Sequence, residues 1–326
     1  MGLSTDLRPV PIKSVAQSLS IPLHQIDTFT SWTPPTPINL IIAVSFGRLV
    51  PPRLLSAAEY GGLNVHPSLL PDLRGPAPLQ WTLLHRMTHT GVTLQTLHPQ
   101  HFDQGTILAQ TPWPGEEIPE AARESNAALL EWIAPKAADM LLQGIYNKVF
   151  VSPVKDVGWY STAPTSSQSS KCPCQKIFQF ELSLPQYLVW TGIFIHVVSI
   201  LPAWSANQEI QHSLYTGFAD IFQDIGEEIA KQTIRYAPKL GPGDRRIDWT
   251  TWTAEDIVIR SRILGNLWDI IQGKRVIYGG FERVDGGHDR LSFKTADDSY
   301  VAPTSVTLEG EQAGKGLDKL RRMLRA

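Results

Sequence analysis

Cysteine is nearly absent from this chain, with two in 326 residues. Cys172 and Cys174 lie too close together to cross-link distant elements. They build no disulfide framework, and their pattern fits a reducing compartment. A second cysteine pair is also missing, so Cys172-Pro173-Cys174 lacks the partners of a structural zinc site. An excess of one charge sign is missing too: the formal net charge is -2. No global field draws nucleic acid, and any RNA contact must come from a local patch. Met1 to Arg8 has no apolar core for a secretory signal and too few arginines for a persuasive mitochondrial presequence. Met1-Gly2 with Thr5 and Asp6 matches the acylation pattern poorly. There is no internal repeat. What is present is ordinary for a soluble globular protein: 42% hydrophobic and 18% charged residues. The length suits one large domain or two modest ones.

Periodicity supplies the elements. Val10 to Ser20 is expected to be a helix with Ile12, Val15, Ala16 and Leu19 on one stripe. Asn39 to Ser45 is apolar on both faces and suits a buried parallel strand. Leu54 to Glu59 predicts a short helix, Leu63 to His66 a strand stopped by Pro67, and Gly75 to Met87 a helix. Gly91 to Leu97 and Thr106 to Gln110 predict two more strands. Glu124 to Ile145 is the strongest helix, with Leu129, Trp132, Ile133, Ala137, Met140 and Leu141 on one face. Strands alternating with helices predict an α/β domain with a largely parallel sheet up to about residue 150.

From Gly158 to about Gln211 the composition changes. Ser161 to Ser170 is rich in Ser, Thr and Pro, and Leu188 to Leu201 is nearly free of charge. The apolar stretch is short for a membrane span, has Pro185 and Pro202 at its edges, and lacks basic flanks, so it reads as a poorly packed insertion. Order is expected again from Phe218 to about Gln232 as a helix-like segment. Ala254 to Ile263 predicts a short amphipathic helix. Arg275 to Tyr278, Arg290 to Phe293 and Val301 to Leu308 predict short strands joined by Gly/Asp turns, a small β domain.

The chemistry concentrates between Asn64 and Gly105. Asn64 and His66 are alternate residues of one predicted strand, so both side chains point to the same face. Pro67 cannot donate to a ladder, so the chain leaves the sheet at once. Ser68-Leu69-Leu70-Pro71 then forms a loop with two apolar side chains and free backbone groups, suited to a flat heterocycle. Asn64 and protonated His66 can stabilise an oxyanion; removing one such donor typically costs about 2.7–4 kcal/mol of barrier. Neutral His66 can instead relay a proton, with Asp103 fixing its tautomer and raising its pKa. The competing reading is a capping Asn, a satisfied core His and a turn Asp before Gly105.

These residues carry a resemblance. Asn64 to Pro71, Leu73 to Leu79, Gly91-Val92-Thr93 and Asp103-Gln104-Gly105 resemble the folate-dependent formyltransferases. The likeness is nearest to methionyl-tRNA formyltransferases of the fungal mitochondrial kind. Arg245-Arg246-Ile247-Asp248-Trp249 resembles that family's linker between a catalytic domain and a C-terminal barrel. The resemblance covers roughly residues 8–158 and 236–280. It implies that Asn64, His66 and Asp103 are catalytic and that Ser68, Leu69, Leu70 and Pro71 contact the folate. It implies 10-formyltetrahydrofolate as formyl donor, no metal, and initiator methionyl-tRNA as acceptor. The implied fold is α/β: a Rossmann-like formyltransferase domain (residues 1–157, N-terminally incomplete), an atypical insertion or linker (158–235), and an incomplete OB-like β-barrel domain (236–326). No membrane association is expected. A monomer and a mitochondrial location follow from the resemblance.

Three departures accompany it. The family's opening strand, helix and second strand have no counterpart before Val10, which predicts uncovered sheet edges. Gly158 to Gln211 is out of pattern and reads as translated non-coding sequence or a misassigned gene segment. One extra residue falls between Val92 and Asp103, with His98 and His101 nearby; both read as surface turn residues, since no third ligand has suitable spacing. Arg74 contacts tRNA phosphate or solvates a helix start. The basic tail from Lys315, including Lys319, Arg321 and Arg322, contacts RNA or is a solvated helix face. Asp248-Trp249 reads as a packing and capping element. Two rival functions stay open: formyl transfer to a small amine or formyl-folate hydrolysis, and a non-catalytic truncated homologue that at most binds RNA.

Overall fold

The computed structural model describes residues 11–26, 28–159, 234–285 and 291–325. Residues 160–233, which hold most of the predicted insertion, its helix-like segment and both cysteines, lie outside them. The first unit runs α1 (Pro11–Ser18), β1 (Ile41–Ala43), α2 (Pro52–Ala57), β2 (Gly62–His66), α3 (Pro78–Leu84), β3 (His89–Thr90), β4 (Thr93–Thr96), β5 (Ile107–Gln110), β6 (Glu116–Glu117), α4 (Glu120–Arg123) and α5 (Asn126–Tyr146). Four strands form one sheet in the order β1-β2-β4-β5, and β3 pairs with β6.

The sheet is mixed, not largely parallel. Only β1 and β2 are parallel; β2–β4 and β4–β5 are antiparallel. The register explains this. The chain leaves β2 at His66 and enters β4 at Thr93, directly opposite His66. It returns to the sheet at the end it left, whereas a parallel partner needs a crossover to the other end. β1 also departs from expectation. It pairs on one side only among the described residues, and Ile42 is exposed. Ile12 and Val15 on α1, and Leu19 just after it, are likewise exposed.

Helix α5 covers the sheet as its periodicity requires. Ser125 caps it by accepting from the Ala128 amide at 3.1 Å. Leu129 and Ile133 are buried against Leu63, Val65, Leu94 and Leu108. Helix α3 is shorter than the sequence suggests. Gly75 holds a positive φ of 125° and Pro78 starts the helix, while Arg86 at φ 53° follows its end.

The second unit contains α6 (Ala254–Leu264), β7 (Leu267–Ile271), β8 (Lys274–Tyr278), β9 (Phe281–Val284), β10 (Phe293–Lys294), β11 (Tyr300–Pro303), β12 (Val306–Leu308) and α7 (Leu317–Arg325). Its strands form two three-stranded sheets, β10-β11-β9 and β12-β8-β7. Ile257, Leu267, Val276, Tyr278, Val301 and Leu320 form its core. Thr253 and Asp256 make a full capping box on α6. Trp249 stacks on Phe293 at 4.8 Å and donates to Asp269, a packing role as expected.

The units are stitched together beside the candidate site. Arg235 meets buried Asp72 through its backbone amide and guanidinium. Leu73 donates to the Arg235 carbonyl and Ala237 to the Arg74 carbonyl. Arg86 bonds Asp256 at 2.7 Å, joining the turn after α3 to α6.

Candidate active site

Alternation on β2 sends Asn64 and His66 to one face, where Asp103 meets both. Asn64 Nδ2 lies 3.4 Å from Asp103 Oδ1, and His66 Nδ1 is also 3.4 Å from that oxygen. Asp103 lies in the loop between β4 and β5 at φ 53°, a left-handed position that Asp tolerates. The loop can return only because Gly105 lacks a side chain: a Cβ there would fall 1.7 Å from the Thr96 carbonyl oxygen.

Asp103 is held from several sides. Gln95 Nε2 donates to Oδ1 at 3.1 Å, the Gly75 amide to Oδ2 at 3.0 Å, and Arg74 Nε to the Asp103 carbonyl at 2.9 Å. Gln95 lies opposite Asn64 in the β2–β4 register and is 1% exposed. Its Oε1 accepts from the Gly105 amide at 3.1 Å. One buried amide thus clamps the carboxylate and its loop together. The sequence reading missed Gln95. Its signal was a polar residue in a largely buried strand directly opposite Asn64, visible only once β2 and β4 are known to pair.

His66 is 5% exposed. Its Nε2 lies 3.0 Å from the Leu73 carbonyl oxygen. A carbonyl only accepts, so the geometry assigns the neutral ring's proton to Nε2 and leaves Nδ1 as the acceptor. Leu73, not Asp103, sets the tautomer. The expected rise in pKa is also reversed. Burial lowers it, and the opposing effects of Asp103 and the Leu73 carbonyl do not overcome that. Asn64 and Asp103 keep partial exposure, so solvent reaches the edge of the cluster.

Most backbone polar groups of Ser68 to Leu70 already have partners. Thr93 Oγ1 donates to the Ser68 carbonyl and accepts from the Leu70 amide. Gln110 Nε2 donates to the Leu70 carbonyl, and Trp159 Nε1 to that of Leu69. Ser68, Leu69, Leu70 and Pro71 are buried. The loop is a packed wall because its polar groups find partners on β4 and β5.

A different apolar surface opens at the same end of the sheet. Ala43 pairs with Asn64 in the parallel β1–β2 ladder, so the residues after β1 leave the sheet at the His66 end. Val44, Phe46 and Leu49 there are exposed, as is Phe102 beside Asp103.

The remaining candidates are scattered. Arg74 is half-buried and its Nε donates to the Asp103 carbonyl. Lys319 pairs with Glu311 and Arg321 lies 3.7 Å from Asp318, while Arg322 is exposed. His98 Nδ1 accepts from the amides of Gln100 and His101, a turn role. Among the described residues no group of three or more His, Cys, Asp or Glu could hold a metal, and no helix is long and apolar enough to cross a membrane.

Residues 31–140 match the family described as Formyl transferase. Over 75 residues the chain is 60% identical to "Methionyl-tRNA formyltransferase, mitochondrial" of Saccharomyces cerevisiae, covering 23% of this chain and 18% of that one. It is 35% identical over 153 residues to "Methionyl-tRNA formyltransferase" of Syntrophus aciditrophicus, covering 44% of this chain and 46% of the relative. Among solved structures it is similar to HypX from Aquifex aeolicus in complex with tetrahydrofolic acid, at 15% identity and a TM-score of 0.45, covering 88% of this chain and 39% of that one. The chain thus spans less than half the length of these two sequence relatives.

Proposed function

With residues 31–140 matching the formyl transferase family, we propose that this chain transfers a formyl group from 10-formyltetrahydrofolate to the α-amine of methionyl initiator tRNA. One observation carries the reading: Asn64 and His66 both meet Asp103 Oδ1 inside the matched span.

The donor set fits a formyl-bearing folate. Asn64 has a second N–H to offer a carbonyl oxygen, and exposed Val44, Phe46, Leu49 and Phe102 offer apolar contact for a flat ring. Ser68 to Pro71 acts as the rigid wall behind the site. When bound, the folate supplies the activated formyl group. Asn64 donates to the formyl oxygen as negative charge develops there. His66 would enter neutral, because burial lowers its pKa, take the amine proton at Nδ1 and return it to the leaving folate nitrogen as the old formyl C–N bond breaks. Asp103 stabilises the imidazolium so formed. Gln95, Gly75 and Arg74 hold Asp103 in place.

We read residues 1–157 as the catalytic domain, 158–235 as the linking segment, and 236–326 as an OB-like domain that helps hold tRNA. Its two small sheets and Arg322 support that reading. The mitochondrial relative supports a mitochondrial location.

The test uses the purified full chain with 10-formyltetrahydrofolate and either charged initiator tRNA or small amines. Formyl-methionyl-tRNA is the expected product. Folate turnover without tRNA indicates a small-amine transferase or hydrolase. Binding of tRNA without turnover indicates a non-catalytic homologue.

A further inference from the structure

Leu73 sets the His66 tautomer, and Leu73 is itself held by the segment that leads into the second unit. Its φ is 55°, a left-handed conformation that strains a leucine and persists only where the surroundings fix it. Its side chain is 1% exposed, and its amide donates to the Arg235 carbonyl at 2.8 Å. Arg235 also grips the preceding residue. Its amide and Nε reach Asp72 Oδ1 at 2.9 and 3.2 Å, and a terminal guanidinium nitrogen reaches Oδ2 at 2.5 Å. A guanidinium fork matches that two-oxygen contact, and an ammonium does not. The Asp72 carbonyl accepts from the Ser68 hydroxyl at 2.7 Å. Further along, Ala237 donates to the Arg74 carbonyl at 2.6 Å, and its own carbonyl accepts from the Ala77 amide at 3.2 Å. Residues 235–237 thus run as a short parallel splint along 72–77, bridged at Arg74 and Tyr236.

The splint matters because two acceptors compete for one proton. Neutral His66 has a single N–H for its two ring nitrogens. The Leu73 carbonyl oxygen lies 3.0 Å from Nε2, and Asp103 Oδ1 lies 3.4 Å from Nδ1. A carboxylate is the stronger acceptor by charge, so a ring released from Leu73 would carry its proton on Nδ1, toward Asp103. Nδ1 would then have no lone pair with which to take a proton from an amine.

We propose that Arg235 is a positioning residue for the transfer: by splinting Asp72 and Leu73 it keeps the Leu73 carbonyl on His66 Nε2 and leaves Nδ1 open as the base. The chemistry of the first unit thereby depends on the segment that leads into the second. The proposal rests on the formyl-transfer reading, in which Nδ1 takes the amine proton.

The experiment compares the full-length wild type with Arg235→Met and Arg235→Lys, well above the ordinary imidazole pKa, with unfolding midpoints recorded for each. Ring-nitrogen NMR of histidine-labelled protein gives the His66 tautomer without substrate, and the signal missing from His66→Gln identifies the ring. The wild type is expected to carry the proton on Nε2. Arg235→Met should shift it toward Nδ1 and lower kcat by about ten- to a hundredfold, with KM changed much less. Arg235→Lys keeps the charge and the backbone bonds, so its tautomer and kcat should fall between the other two. A wild type protonated on Nδ1 overturns the proposal, as does a folded Arg235→Met with the wild-type tautomer or the wild-type kcat. Should Arg235→Met unfold, Arg235→Lys carries the test, and an unchanged tautomer or kcat there overturns it. The tautomer is read apart from turnover, so the two readings fail separately. A variant-sensitive tautomer in a chain whose wild type transfers no formyl group supports the splint while removing the activity.

Discussion

Gln95 Nε2 donates to Asp103 Oδ1 at 3.1 Å from a position 1% exposed, while its Oε1 takes the Gly105 amide. The carboxylate beside His66 is therefore set by an amide on the neighbouring strand. Gln95→Leu removes both bonds and leaves a buried carboxylate and amide less satisfied, at a cost of about 1–3 kcal/mol of stability. The transfer rate is expected to fall at least about tenfold, in kcat more than in KM. The pH profile of kcat should shift with it, because Asp103 opposes the lowering of the His66 pKa. An unchanged pH profile would reduce Gln95 to a packing role.

Two histidines make stability depend on mild acid. Burial lowers the pKa of His66; partial desolvation, then Arg235, lowers that of His85, which keeps an exposed edge. The unfolded chain takes up protons below about pH 6.5 that the folded chain refuses. Stability is thus fully present above the unfolded pKa and is lost as pH falls toward the folded values. Urea unfolding should give a smaller free energy at pH 5.5 than at 7.5, and His85→Gln should flatten the difference. Equal or greater stability at pH 5.5 would contradict this.

Gly75 is fixed by its backbone. Its φ is 125°, and a Cβ would sit 2.3 Å from the Ala237 carbonyl oxygen. Its amide also donates to Asp103 Oδ2. Gly75→Ala is expected to cost about 1–3 kcal/mol from backbone strain, with the clash adding to it. Activity should fall as well, since the shift displaces Asp103. Thermal unfolding and a transfer assay on one preparation check both effects.

Tyr278 buries its hydroxyl in the second core without a hydrogen-bond partner among the described residues, and burial raises its pKa. Tyr278→Phe removes an unsatisfied group while keeping the ring contacts with Phe281 and Phe293. Stability should rise by on the order of 1 kcal/mol, read as a higher urea midpoint at constant m. A decrease would mean that the hydroxyl has a partner in solution.

The sequence carried the local elements well, because their signals are local. Leu129 and Ile133 marked the buried face of α5, and the alternation of Asn64 and His66 on β2 gave their common side. Non-local pairing was out of reach. Nothing in Thr93 to Thr96 says that β4 returns antiparallel to β2, and only that register sets Gln95 opposite Asn64. The same limit hid the fate of the Ser68–Pro71 backbone, whose partners Thr93, Gln110 and Trp159 come from distant positions. The His66 tautomer depended on a carbonyl seven residues away across a turn, which no spacing rule supplies.

The measurement closest to the central claim is the single-turnover rate of formyl transfer to methionyl initiator tRNA by the wild type and Asn64→Ala, with unfolding midpoints recorded alongside. The account predicts transfer by the wild type and a drop of about a hundred- to a thousandfold in the variant at an unchanged midpoint. A wild type that transfers nothing, or a variant that transfers at the wild-type rate, would contradict it.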